Sequence, residues 1–120
     1  MTAVYNAPQR RSRRLSGVLP VFVCGETSQR KAFREEALAI TFNAHGALLV
    51  LYEKVELGQR LRLMNPTTWD EQEARIVYSS SSYGGLATIG VEFITPAPMF
   101  WPINDPPTDW RASEREVSAV

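Results

Sequence analysis

Residues 35–53 read EEALAITFNAHGALLVLYE, and the fold turns on this stretch. From Glu35 to Phe42 the side chains alternate: Leu38, Ile40 and Phe42 share one face, and Ala37, Ala39 and Thr41 share the other. That is the two-residue period of a strand, not the 3.6-residue period of a helix. Asn43 and Gly46 then supply the composition of a tight connection, and Ala47 to Glu53 forms a second short apolar run. Two strands joined by a polar turn give a β-hairpin.

The same signal recurs on both sides. Upstream, Val18 to Cys24 is apolar on both faces, with Pro20 confining it to a sheet edge or a strand start. Downstream, Gln59 to Met64 places Leu61 and Leu63 inward and Arg60 and Arg62 outward. Glu73 to Ser79 sets Ala74, Ile76 and Tyr78 against Arg75 and Val77. Thr88 to Ile94 sets Ile89, Val91 and Phe93 against Thr88, Gly90 and Glu92. Gly25 with Ser28, Gly58, Asn65-Pro66 and the stretch Ser79 to Gly85 punctuate the runs. Short strands at this spacing predict an all-β fold, a closed six-stranded antiparallel barrel, because an open sheet of that width would leave long edges unpaired.

At 120 residues the chain is sized for one domain. No apolar run approaches the roughly 20 residues of a membrane helix, and no secretory apolar segment follows the basic N-terminus, so membrane insertion is not expected and the reading is cytoplasmic. Cys24 is the only cysteine, which excludes an internal disulfide and a multi-cysteine zinc site. It lies in an apolar run, the setting of a buried structural thiol.

Formal net charge is zero, yet it is unevenly spread. Arg10, Arg11, Arg13 and Arg14 make the first 14 residues +4, leaving nine of the 13 basic residues against all 13 acidic ones. A mildly acidic body thus carries a basic arm, which points to an anionic ligand or partner. Four like charges on a free arm also predict mobility. After the last strand the chain changes character: Pro96, Pro98, Pro102, Pro106 and Pro107 deny it helix and sheet interiors. Phe100, Trp101 and Trp110 in that segment are expected to fold back over an open barrel end, the alternative being an exposed aromatic patch. The organisation expected is a tail over 1–9 and a domain over 10–112, divided into an arm (10–17), a barrel (18–94) and a capping segment (95–112), followed by a frayed tail over 113–120.

Two features carry chemistry. A guanidinium presents a planar fork of donors that matches phosphate oxygens and the O6/N7 edge of guanine, so the arm reads as an anion-binding element; a solvated basic tail fits the same composition. In the turn Thr41 to Gly46, Asn43 offers a donor and an acceptor, His45 a contact to phosphate or a base, and Gly46 a positive φ and close backbone approach. Taken alone, the turn reads more simply as a plain hairpin connection with polar residues at its tip. Arg60, Arg62 and Arg75 occupy outward strand positions and read as a solvated face.

Taken together the features resemble the PilZ domain. Arg10 and Arg14 fit an RxxxR spacing ahead of the first strand, and a glycine-ended turn joins the next two strands. Leu57-Gly58 precedes a strand, and Ile89 to Phe93 is similar to the late-strand signature of that family. The resemblance covers roughly Arg10 to Ile94. It implies a six-stranded barrel, no catalysis, no cofactor, and a cyclic diguanylate ligand held by Arg10, Arg11, Arg14, Thr41, Asn43, His45 and Gly46. The family's second motif reads DxSxxG; here Thr41 stands at the aspartate and Asn43 at the serine, so one carboxylate is missing.

Enzymatic chemistry finds no support: there is no phosphate loop, and with His45 as the single histidine no two-histidine metal motif exists. A PilZ-like adaptor that binds a protein partner in place of the dinucleotide is the competing expectation. Specific nucleic-acid binding is disfavoured by the acidic body. Monomer and dimer are both open.

Overall fold

The computed structural model describes residues 12–27, 29–81 and 83–110. Arg10 and Arg11 lie outside the described residues. Six strands appear in order: β1 (Leu15–Glu26), β2 (Ala32–Asn43), β3 (Gly46–Leu51), β4 (Arg60–Met64), β5 (Glu71–Ser81) and β6 (Ala87–Phe93). They close into a barrel ordered β1-β2-β3-β6-β5-β4, with every neighbouring pair antiparallel. The weakest seam joins β1 to β4 and spans only Phe22 to Cys24. Pro20 sits upstream of that seam, so on this flank there is no ladder for its missing N–H to interrupt.

The core is the barrel lumen. Leu49, Leu51, Leu63, Ile76, Ile89, Val21 and Val23 are fully buried, interleaved with Ala37, Ala39 and Ala74. A six-stranded barrel has a narrow interior, and alternating small with large inward residues fills it without overpacking.

Three register shifts interrupt simple alternation, the first in β1 between Ser16 and Leu19. The β2–β3 register shifts between Ala39 and Thr41. Ala37 and Ala39 are therefore inward, Leu38 is 43% exposed, and Phe42 follows the alanines into the core instead of sharing a face with Leu38. The β5–β6 register shifts between Ile76 and Tyr78, so Tyr78 turns outward, away from Ala74 and Ile76. An extra residue in one strand flips every side chain beyond it.

The proline-rich segment after β6 folds over one barrel end. Phe100, Trp101 and Trp110 are buried and join the core cluster. Phe42 and Trp101 ring centroids lie 5.1 Å apart, Phe93 and Phe100 5.4 Å, and Phe100 packs edge-on against Trp101 at 4.9 Å. Asn65, also buried, donates from Nδ2 to the Phe100 carbonyl, fixing the β4–β5 turn to this cap. On the opposite flank, Arg60 and Arg62 pair with Glu73 and Glu71 at 3.6 Å each, all exposed, as a solvated cross-strand network.

Candidate functional site

The connection between β2 and β3 is built by Asn43. Its Oδ1 accepts from the N–H groups of His45 (2.8 Å) and Gly46 (3.0 Å), an Asx turn that fixes the hairpin. Its Nδ2 donates to the Ser12 carbonyl at 3.1 Å. Ser12 is itself buried, and its Oγ shares a 3.0 Å hydrogen bond with His45 Nδ1. The turn and the arm therefore hold each other. His45 is 8% exposed, its ring turned toward Ser12.

Gly46 does not take positive φ; that conformation belongs to Gly58, Gly84 and Gly85 among the glycines. Its reason is a close approach: a Cβ there would stand 2.0 Å from the Val91 carbonyl oxygen on β6. The glycine lets two backbones meet at the β3–β6 seam.

The arm, expected to be mobile, is docked over Ser12 and Arg13. Besides the contacts of Ser12, the Arg13 N–H donates to Asp109 Oδ2 at 2.8 Å, and its carbonyl accepts from Trp110 Nε1 at 2.7 Å. These bonds outweigh the mutual repulsion of exposed guanidinium groups, which water screens. Arg14, exposed, follows directly.

Arg14 lines a cleft of about 660 Å³ together with Thr41, Asn43, His45 and Gly46. Thus five of the seven residues singled out in the sequence surround one concavity. Its floor is the outer surface of β2, β3, β6 and β5. Registers place Thr41 opposite Leu48, Leu48 opposite Gly90, and Gly90 opposite Tyr78. This row carries no charge. Tyr78 is half exposed, and Gly90 leaves room for it: a Cβ on Gly90 would stand 3.1 Å from that of Tyr78. Glu92 closes one edge, paired with Arg75 at 3.4 Å. An arginine at the edge of an apolar, partly aromatic floor suits a ligand with an anionic group and flat rings.

Sequence reasoning missed Leu48, Val77, Tyr78 and Glu92 as cleft residues. Tyr78 and Val77 were hidden by the bulge, which no alternation pattern predicts. The Gly90–Tyr78 pairing needs the strand order, since β5 and β6 are adjacent but their register is set by the bulge.

No family model matches the sequence, and no curated protein matches it. Solved structures do match in fold. The chain is similar to YcgR from Escherichia coli in complex with c-di-GMP, at 17% identity over 92% of this chain and 45% of that one, with a TM-score of 0.51. It is similar to the Bacillus subtilis inhibitor of motility MotI/DgrA, at 18% identity over 92% of this chain and 52% of that one, with a TM-score of 0.59. The PilZ domain of E. coli YcgR with c-di-GMP matches at 17% identity over 92% of this chain and 90% of the domain, with a TM-score of 0.52. The chain spans about half the length of YcgR and of MotI. Closed topology, strand count and these likenesses agree: the chain has the PilZ-domain fold.

Proposed function

We propose that the protein is a non-catalytic signalling module that binds cyclic diguanylate in the cleft between the arginine arm and the β2–β3 turn. The observation that carries this reading is the convergence of Arg14, Thr41, Asn43, His45 and Gly46 on one concavity with an uncharged floor. In it, Arg10, Arg11 and Arg14 supply guanidinium forks to phosphates and to guanine edges. Thr41 offers a hydroxyl to a base, and Tyr78 a ring face. Asn43 and His45 serve the ligand chiefly by seating the arm, since their polar atoms already bond Ser12 and the turn. No cofactor or metal enters this scheme. Two of the similar structures contain c-di-GMP, which supports the ligand class by analogy of fold.

Calorimetric titration with cyclic diguanylate tests the reading. Saturable binding is expected, weakened at least tenfold by Arg14→Ala or Arg10→Ala, as for a lost charge-assisted contact of about 1.5–3 kcal/mol. Absence of heat and of any thermal shift at high micromolar ligand would overturn it.

A second reading, a protein-binding adaptor, is favoured by the exposed apolar side chains of Val18, Leu38, Val77 and Tyr78. The segment aromatics no longer count toward it, because Phe100, Trp101 and Trp110 are buried. Among the described residues no helix is long and apolar enough to cross a membrane.

A further inference from the structure

The arm meets the C-terminal segment at Arg13. Both main-chain polar groups of Arg13 are bonded to one dipeptide: its N–H to Asp109 Oδ2 at 2.8 Å and its carbonyl to Trp110 Nε1 at 2.7 Å. A residue gripped through both groups has its position and its rotation about the chain fixed together. The grip is firm because the Trp110 side chain is fully buried in the core cluster, while Asp109 stays at the surface.

These contacts close a ring. Trp101 Nε1 donates to the Asn43 carbonyl at 2.8 Å, Asn43 Nδ2 donates to the Ser12 carbonyl, and Arg13 returns to Trp110. Two indole N–H groups of the same segment thus hold two carbonyls, one in the turn and one in the arm. None of these bonds belongs to a strand ladder, and the barrel closes without them. What they fix is the chain immediately before Arg14, and hence the origin of the guanidinium at the cleft rim.

We infer that Asp109 and Trp110 are positioning residues of the cleft: they touch no ligand, but hold Arg13 so that Arg14 stands at the rim before a ligand arrives. The inference rests on the reading of the cleft as a dinucleotide site. Its physical basis is preorganisation. An arginine on a loose arm must lose backbone and rotamer freedom on meeting a phosphate, whereas one on a docked arm has lost part of it already. Asp109 and Trp110 therefore set affinity through the arm, at a distance of 96 and 97 positions in sequence.

The test compares cyclic diguanylate affinity in the full chain and in Asp109→Ala, Asp109→Asn and Trp110→Phe. Asp109 is exposed, so its substitution leaves the core intact. Asp109→Ala is expected to weaken binding about fivefold, the effect of one lost hydrogen bond, with an unchanged melting temperature. Asp109→Asn keeps a carbonyl acceptor and should restore affinity to within about twofold of the parent, a rescue that a general loss of stability would not show. Trp110→Phe keeps an aromatic ring in the core, loses the N–H with part of the indole, and should weaken binding at least as much as the Asp109→Ala variant. Parental affinity in both Asp109→Ala and Trp110→Phe, or an asparagine variant as weak as the alanine one, would overturn the assignment while leaving the dinucleotide site standing. Failure of the parent protein to bind would overturn both.

Discussion

Ser12 Oγ and His45 Nδ1 share a hydrogen bond of 3.0 Å, with both residues buried. A serine amid four arginines is thereby turned inward, while Arg13 and Arg14 after it are exposed. Ser12→Ala would strip a buried imidazole nitrogen of this partner. The expected loss is about 1–3 kcal/mol of unfolding free energy, seen as a lower urea midpoint at constant slope. A midpoint unchanged within error would show that the pair is not a stability determinant.

Two glycines should lose stability to very different extents on substitution by alanine. At Gly46 the new Cβ meets the Val91 carbonyl at 2.0 Å, and neither backbone can retreat without opening the β3–β6 seam. We expect Gly46→Ala to lose more than about 4 kcal/mol or to fail to fold. At Gly58 nothing stands within 4 Å, and only the φ of +87° is at stake, so Gly58→Ala should lose about 1–2 kcal/mol. Equal losses at the two sites, by denaturant titration, would refute the close-approach account.

Trp101 combines packing with a hydrogen bond. Trp101→Phe removes the N–H that holds the Asn43 carbonyl and part of the ring, for an expected loss of about 1–2 kcal/mol. Trp101→Ala also empties its place among Phe42, Phe93 and Phe100, for about 3–5 kcal/mol. If the two variants melt alike, the cap contributes little through packing.

The ion pairs on the β4–β5 flank should matter far less. Arg62 and Glu71 approach to 3.6 Å with side chains 62% and 49% exposed. A double-mutant cycle on this pair is expected to give a coupling below about 1 kcal/mol that shrinks further in molar salt. A coupling of 2 kcal/mol or more would require a shielding that the exposure of these side chains does not provide.

The barrel was legible from side-chain period and turn chemistry, because both are local. Each of the six expected runs overlaps a strand, with ends that differ by up to three residues. β1, β2 and β5 are longer than the alternation indicated, since Leu15, Ser16, Ala32 to Arg34, Ser80 and Ser81 are paired by neighbours and not by their own pattern. The bulges near Ile40 and Val77 were not legible. A bulge is a mismatch between two strands, and neither strand alone records it. That is why Leu38 and Tyr78 were assigned the wrong partners.

For the cleft, the sequence supplied the chemistry and the tertiary structure supplied the arrangement. The fork donors at Arg14, the polar turn at Asn43 and His45, and the buried character of the aromatic segment can each be read from residue type and local pattern. That Asn43 and His45 bond Ser12, that Gly46 is a glycine for the sake of Val91, and that Trp110 grips Arg13 cannot. Each of those facts joins positions brought together only when the barrel closes and the C-terminal segment folds back across its end. Local patterns determine which strands form; the faces buried beyond a bulge and the contacts between distant segments depend on strand order and register, which only the closed fold decides.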